Sequence, residues 1–200
     1  GWVVGKRGVI LQTGDGGTNW SAQVSNTADS LRSVRFTDAR HGWAVGGEGT
    51  VLRTEDAGQT WAACTANTTG TLSAIRIQSS GHGWVAGENG RLLETADAGG
   101  TWAARSAGTD EILTSVTFPD PRSGWLTGWN GTLRRTTDGG VTWTEQITNQ
   151  VENLWSLAFV DGQHGWVVGD GGTILHTVDG GTSWTNQTAG TEADLFSLSF

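Results

Sequence analysis

The segment Gly42-Trp-Ala-Val-Gly46 opens a unit of 41 residues that recurs along the whole chain. Its Gly-Trp pair returns at a constant spacing, as Gly1-Trp2, Gly42-Trp43, Gly83-Trp84, Gly124-Trp125 and Gly165-Trp166. A fixed period of about 40 residues indicates an array of one supersecondary unit. The repeats cover residues 1–41, 42–82, 83–123, 124–164 and 165–200, and we interpret residues 1–200 as a single domain.

Each repeat contains four short segments with the pattern of β-strands, separated by glycine-rich or Asp-Gly turns. In the second repeat these segments are Gly42–Gly46, Thr50–Thr54, Thr60–Thr65 and Leu72–Ile77. The chain has 32 glycines and no window with a sustained helical period, which argues against long helices. Four antiparallel strands in every repeat predict an all-β fold, a five-bladed β-propeller.

The last repeat stops at Phe200, before the residues that correspond to the loop Thr37–His41. We therefore predict that a C-terminal strand, Leu195–Phe200, pairs with the N-terminal strand Gly1–Gly5 and closes the propeller within one chain. Such pairing covers a sheet edge that would otherwise be exposed. This closure predicts a monomer, and a ring made by two chains is the alternative that the sequence leaves open.

Every repeat also contains an eight-residue segment that begins with Thr and ends with Trp. The segments are Thr13–Trp20, Thr54–Trp61, Thr95–Trp102, Thr136–Trp143 and Thr177–Trp184. Their third residue is always an aspartate: Asp15, Asp56, Asp97, Asp138 and Asp179. An aspartate followed by glycine suits a tight turn, because the carboxylate accepts backbone N–H groups and glycine tolerates positive φ. We interpret these aspartates and the closing Trp20, Trp61, Trp102, Trp143 and Trp184 as structural residues.

These segments match the pattern Ser/Thr-x-Asp-x-Gly-x-Thr-Trp and resemble the Asp-box, also called the BNR repeat. With the Gly-Trp-x-x-Gly strands, the whole chain resembles the propellers of the photosystem II stability/assembly factor family. The resemblance implies a non-catalytic scaffold that binds a protein or peptide, with the Asp-boxes on the face opposite the binding face. An engineered or reconstructed propeller with no selected ligand belongs to the same class.

The composition limits the classes of partner. The net charge is −8 and Lys6 is the only lysine, which disfavours nucleic acid. The absence of an 18-residue apolar run and of a signal peptide predicts a soluble chain without a membrane span, and an extracytoplasmic location is favoured. The chain has no Met, which indicates a processed or excised segment.

Neither a cofactor nor a metal is expected. His41, His82 and His164 occupy the same position in different repeats, so they would not converge on one ion. We expect each of them to be a hydrogen-bonded turn residue.

Two enzyme classes that use Asp-box propellers are alternatives. The resemblance implies a Tyr nucleophile for a sialidase, and the chain contains no Tyr, which excludes that class. A glycosidase needs two carboxylates flanking the scissile bond. Glu48, Glu88 and Asp170 are predicted on the binding face, but the short loops build no deep cleft. We predict that the chain is not an enzyme, with a glycosidase as the minor alternative.

Residues that break the repeat mark the candidate ligand site. Trp129 follows Gly128 in a turn where other repeats place small or charged residues, and Trp155 begins an inner strand. Aromatic side chains there suit stacking on a sugar or anchoring a peptide. The candidate ligand-binding residues are Trp129, Trp155, Asn130, Lys6, Arg7, Glu48, Glu88 and Asp170. A carbohydrate-binding, lectin-like propeller is therefore the alternative to a protein-binding or peptide-binding one.

Overall fold

The computed structural model describes residues 1–200 and consists of β-strands joined by turns and loops. The strands of the first two sheets are β1 (Trp2–Val4), β2 (Ile10–Gln12), β3 (Ser21–Gln23), β4 (Leu31–Phe36), β5 (Gly42–Gly46), β6 (Val51–Thr54) and β7 (Ala62–Cys64). The third sheet contains β8 (Leu72–Ile77), β9 (Gly83–Gly87), β10 (Arg91–Thr95) and β11 (Ala103–Ser106). The last two contain β12 (Leu113–Thr117), β13 (Gly124–Gly128), β14 (Leu133–Thr136), β15 (Thr144–Glu145), β16 (Leu154–Phe159), β17 (Gly165–Gly169), β18 (Ile174–Thr177) and β19 (Thr185–Asn186).

Five antiparallel sheets follow one another along the chain. Their strand orders are β1-β2-β3, β4-β5-β6-β7, β8-β9-β10-β11, β12-β13-β14-β15 and β16-β17-β18-β19. Each sheet is therefore a meander of consecutive strands, as expected for a propeller blade. The predicted fold class, a five-bladed β-propeller, is confirmed.

Two compact units are distinguished within the chain. The first consists of Gly1–Gly87 and Leu92–Ala104, and the second of Glu88–Arg91 and Arg105–Phe200. The interpretation of the chain as a single domain stays a prediction.

The strands begin and end close to the residues that the repeat predicts. β5 and β8 have the predicted bounds, whereas β6 begins at Val51 instead of Thr50. Thr50 is excluded from the strand because its N–H donates to the carbonyl oxygen of Gly47, at 2.9 Å, and closes the preceding turn. The outermost strand is also shorter than predicted, since β7 spans only Ala62–Cys64.

The predicted closure strand does not form. The first sheet contains three strands, and Leu195–Phe200 is not a β-strand. The segment is held instead by the last blade of its own unit, where the Leu195 N–H donates to the Gly169 carbonyl oxygen at 3.0 Å. Phe196 packs on Trp155 and Phe200 on Trp166, with ring centroids 5.6 and 4.7 Å apart. The prediction that Leu195–Phe200 forms a strand and pairs with the N-terminal strand is therefore wrong.

The tryptophan of a Gly-Trp pair packs against the Asp-box of the following blade. In the first unit, a Cβ atom on Gly58 would lie 2.2 Å from the Trp2 ring. In the second unit, a Cβ atom on Gly181 would lie 2.5 Å from the Trp125 ring. Both glycines have positive φ, at 78° and 75°, so conformation and space together require glycine. These contacts join neighbouring blades within each unit.

Each Asp-box is closed by the same hydrogen bonds around a buried threonine. The Thr95 hydroxyl donates to Asp97 Oδ1 at 2.8 Å and accepts from the Gly99 N–H at 2.8 Å. Asp97 Oδ1 also accepts from the Thr101 N–H at 2.8 Å. Thr95 is 1% exposed, so its hydroxyl depends on these partners. The other boxes repeat the pattern around Thr13, Thr54, Thr136 and Thr177.

These hydrogen bonds lower the pKa of the box carboxyl groups. The Asn19 backbone N–H is the main cause of a pKa of about 2 for Asp15, against an ordinary value of 3.8. The Thr101 N–H acts in the same way on Asp97, whose pKa is also about 2. In the other boxes a side-chain hydroxyl is the main cause, and it lowers the pKa of Asp56, Asp138 and Asp179.

Replacing the buried threonine of one box tests its contribution to stability. We expect Thr95→Val to lower the free energy of unfolding by about 1–3 kcal/mol, because the Gly99 N–H loses its acceptor inside the protein. Urea denaturation measures the change. Thr65→Val, at an exposed position in the loop after β7, is the control and should leave the midpoint nearly unchanged. Equal midpoints for both variants would contradict the role of the box.

The lowered pKa values predict a loss of stability in acid. A folded-state pKa below the unfolded value gives a stabilisation that is complete above about pH 4 and is lost as the pH falls towards 2. The thermal unfolding midpoint should therefore drop steeply between pH 4 and pH 2. Asp97→Asn should reduce this dependence, whereas Asp110→Asn, at an exposed loop position outside the boxes, should retain it. An unchanged pH profile for Asp97→Asn would refute the assignment.

Candidate functional site

Five turns with the same backbone geometry carry most of the candidate site residues. In the turn between β1 and β2, the Val9 N–H donates to the Lys6 carbonyl oxygen, and the central residues Arg7 and Gly8 have φ values of 57° and 68°. Two positive φ angles define the type I′ turn that favours two-residue hairpins. The equivalent central pairs are Glu48-Gly49, Asn89-Gly90, Asn130-Gly131 and Gly171-Gly172.

The glycine of each turn brings it against the loop that leads to the next inner strand. The Gly131 N–H donates to the Glu152 carbonyl oxygen at 2.9 Å, and a Cβ atom on Gly131 would lie 2.0 Å from the Gln150 carbonyl oxygen. In the first unit, the Gly8 N–H contacts the Asp29 carbonyl oxygen at 2.8 Å in the same way. The turns and the blade-to-blade loops therefore share one side of each blade.

In the second unit, the turn Trp129–Thr132 is linked to the loops on both sides of it. The Asn130 side-chain amide donates to Glu111 Oε2 at 2.9 Å, in the loop before β12. The Asn130 backbone N–H donates to Asn153 Oδ1 at 3.2 Å, in the loop before β16. Asn130 is thus fixed at two points.

Asn153 extends these contacts to the last blade. Its side-chain amide donates to Asp170 Oδ2 at 2.8 Å. The Trp155 indole N–H donates to the other carboxylate oxygen, Asp170 Oδ1. Glu111, Asn130, Asn153, Asp170 and Trp155 form one hydrogen-bonded series, which we call the polar row. Its carboxylates at Glu111 and Asp170 make the row acidic.

Trp129 lies beside the polar row and is exposed. The Trp129 backbone N–H donates to the Ile112 carbonyl oxygen at 2.9 Å, and the Trp129 carbonyl oxygen accepts from the Thr132 backbone N–H at 3.0 Å. Trp129 is 38% exposed, whereas Trp125, four residues earlier in β13, is buried. The Trp129 backbone is therefore held firmly while its ring is available to a ligand.

The candidate residues are distributed over both units. Asn130, Trp155 and Asp170 come together in the polar row, with Trp129 adjacent. Glu88 belongs to the second unit, in the turn before β10, where its carbonyl oxygen accepts from the Arg91 N–H at 3.1 Å. Lys6, Arg7 and Glu48 lie exposed in the equivalent turns of the first unit and are not members of the polar row.

Asn153 is the functional candidate that the sequence reasoning missed. Ile112 stands one repeat earlier at the same position, and Asp194 one repeat later. Asp194 makes the equivalent contact, since its Oδ1 accepts from the Gly171 N–H at 3.0 Å. The remaining repeats have Ser30 and Thr71 at this position, so a polar residue is usual there and Asn153 does not stand out in the sequence.

The histidines contact carboxylates within their own units. His41 Nδ1 lies 2.7 Å from Asp38 Oδ2, and His164 Nδ1 lies 2.9 Å from Asp161 Oδ2. Backbone N–H groups, those of Arg40 and His164 first, hold the pKa of Asp38 and Asp161 at about 2. No group of three or more His, Cys, Asp or Glu side chains is arranged to hold a metal ion. The two His–Asp pairs are therefore suited to stabilising the loops that contain them.

Removing Asn153 tests the polar row directly. We expect Asn153→Ala to increase hydrogen exchange of the Asn130 amide by about fivefold or more, because the amide loses its acceptor. The Gly131 amide is an internal control, since it donates to the Glu152 backbone and keeps its partner. Equal protection of the Asn130 amide in both proteins would show that the row does not order the turn.

Known structures with the same fold include assembly factors and a glycoside hydrolase. YCF48 from Cyanidioschyzon merolae superposes with a TM-score of 0.79 at 21% identity, over 100% of this chain and 70% of that protein. YCF48 bound to D1 peptide gives 0.73 at 21% identity, over 92% and 62%. An ancestral GH74 enzyme gives 0.78 at 14% identity, over 96% of this chain and 30% of the enzyme. The chain thus spans about two thirds of the assembly-factor structures.

Comparison of the sequence with known protein families identifies the family of the chain. No curated protein matches the chain significantly. No helix is long and apolar enough to span a lipid bilayer. The family model described as photosynthesis system II assembly factor YCF48 matches residues 1–64 and 106–191, which is most of the chain. The repeats, the Asp-boxes and this match together show that the chain belongs to the YCF48 family of photosynthesis system II assembly factors.

Proposed function

We propose that the chain is a non-catalytic scaffold that binds a peptide segment of a partner protein beside the polar row. The observation that carries this proposal is the exposed Trp129 ring next to a series of pre-oriented polar side chains. Such an arrangement combines an aromatic anchor with hydrogen-bonding groups for a peptide backbone. Lys6, Arg7 and Glu48 are proposed as ligand contacts within the first unit, and Glu88 as one within the second unit.

Trp129 is suited to the role of anchor. Its backbone is fixed by hydrogen bonds to Ile112 and Thr132, so little conformational freedom is lost when a ligand covers the ring. Tryptophan combines a large apolar surface with a polar N–H, which is why it is frequent among residues that dominate binding energy. The same position in the other repeats is Lys6, Gly47, Glu88 or Asp170, so this anchor belongs to one blade.

The charge of the polar row defines the kind of peptide. Glu111 and Asp170 accept hydrogen bonds from within the row, and each carboxylate has further acceptor capacity. The chain as a whole carries a net charge of −8. A segment that contains Lys or Arg next to an apolar residue complements this surface and would be attracted to it at low ionic strength.

A similar protein supports the choice of a peptide as the ligand class. One of the assembly-factor structures is YCF48 bound to D1 peptide, and it shares the fold at 21% identity. The likeness to the GH74 enzyme concerns the fold, at 14% identity. These points favour binding over catalysis.

Binding of the D1 peptide tests the proposal. We expect the chain to bind this peptide, and Trp129→Ala to weaken binding by about 2 kcal/mol, roughly 30-fold, because the anchor is lost. Titration followed by fluorescence anisotropy of a labelled peptide measures the change.

The matched control is Val178→Ala, which removes another exposed apolar side chain, inside an Asp-box turn. Its affinity should equal that of the wild type. Absence of peptide binding would reject the proposed function. Equal binding by Trp129→Ala would reject the site while leaving peptide binding in place.

A further inference from the structure

A cavity of about 400 Å³ lies in the second unit between the loop before β12 and the fourth blade. Thr109, Thr132, Arg134 and Glu145 line it, together with the loop of residues 146–150. We call it the Arg134 pocket. Its volume is within the range of about 300–1,000 Å³ found for small-molecule sites. We propose that the Arg134 pocket binds a neutral sugar ring next to the peptide site, with which the pocket shares Glu111 and Asn130.

The first unit contains the same pocket with different chemistry. A cavity of about 240 Å³ is lined there by Thr27, Thr50, Leu52 and Cys64, among others. Every one of these residues stands two repeats before a residue of the Arg134 pocket. The cavity is thus a product of the repeat, and its volume alone carries no function.

Three substitutions distinguish the two pockets. Leu52, Ala63 and Cys64 of the first unit correspond to Arg134, Glu145 and Gln146 of the second. Arg134 replaces the leucine of all other repeats and Glu145 replaces an alanine, whereas a glutamine at the position of Gln146 is usual and Cys64 is the exception. Arg134 and Glu145 lie in one wall of a cavity that the repeat itself creates. Polar substitutions at one wall indicate that the ligand of the second unit is polar.

Arg134, Asn130 and Gln150 are the polar groups of the Arg134 pocket that are held in place. The Arg134 side chain is only 14% exposed, and its Nη2 lies 3.6 Å from Glu145 Oε2. The Asn130 amide is oriented by Glu111 at 2.9 Å, and the Gln150 amide donates to Asn186 at 3.0 Å. Groups that are already oriented lose little freedom when a ligand binds.

The balance of charges selects a neutral ligand. A single guanidinium, that of Arg134, faces two carboxylates in the lining, Glu111 and Glu145. An anion would lie against the carboxylates, and a cation would lie against the guanidinium. A sugar hydroxyl donates to a carboxylate and accepts from a guanidinium or an amide, so it satisfies both kinds of group. The threonine hydroxyls of the lining add further donors and acceptors.

Saturation-transfer NMR with single sugars tests the proposal on the intact chain. The probes are N-acetylglucosamine, galactose and xylose, with glucuronate and glucosamine as charged comparisons. We expect at least one neutral sugar to bind, and Arg134→Leu to weaken it about tenfold or more through loss of a charged hydrogen-bond donor. Glu145→Gln, at an exposed side chain that tolerates substitution, should also weaken it.

Controls separate this site from the peptide site. Cys64→Ala, in the pocket of the first unit, should leave sugar binding unchanged, and Arg134→Leu should still bind the D1 peptide. The proposal would be overturned if no neutral sugar bound. It would also be overturned if Glu145→Gln and Arg134→Leu bound the sugar as tightly as the wild type. Preferential binding of glucuronate or glucosamine would overturn the choice of a neutral ligand.

Discussion

The contact between a tryptophan and the glycine of the next Asp-box is the constraint on which the rest of the structure depends. A four-stranded meander of 41 residues is too small to bury its own apolar face and must pack on a neighbour. The indole fills the space that Gly58 and Gly181 leave by lacking a side chain. The hydrogen bonds of the box hold that glycine at positive φ, so the turn and the inter-blade packing stabilise each other.

Because this packing uses the Asp-box side of each repeat, the type I′ turns remain available on the blade for other roles. Their hydrogen bonds are mainly between backbone groups, such as Gly131 N–H to the Glu152 carbonyl oxygen. A turn fixed by its backbone tolerates many side chains at its first positions. Trp129 therefore differs from its counterparts in the other blades without disturbing the fold, and the polar row consists of residues that the core does not need.

The 41-residue period of the sequence was sufficient to predict where the strands lie, because each strand is specified by its local pattern. β5 and β8 have the bounds expected from alternation and flanking turns. The prediction of a closure strand was wrong for a related reason. Leu195–Phe200 has the same local pattern as β4 or β8, but strand pairing also needs a partner, which no local pattern specifies. Its aromatic residues contact Trp155 and Trp166 instead.

The candidate site was only partly predictable for a similar reason. Trp129 and Trp155 could be found as departures from the repeat, and Asn130 and Asp170 by their place in the turns of the predicted binding face. The hydrogen bonds of Asn153 join its own loop to two turns, those of Asn130 and Asp170, and the meeting of these three segments is not visible in the sequence. The Arg134 pocket needed the structure as well, because its wall residues come from separate strands and loops.

The first central residue of each type I′ turn has a further consequence for the backbone energy of this surface. Asn89, Asn130 and Gly171 adopt the left-handed conformation with little strain, whereas Arg7 and Glu48 adopt it at a cost of about 1 kcal/mol each. Asn or Gly at such a position avoids this penalty, so Arg7 and Glu48 keep their charge at a local cost in backbone energy.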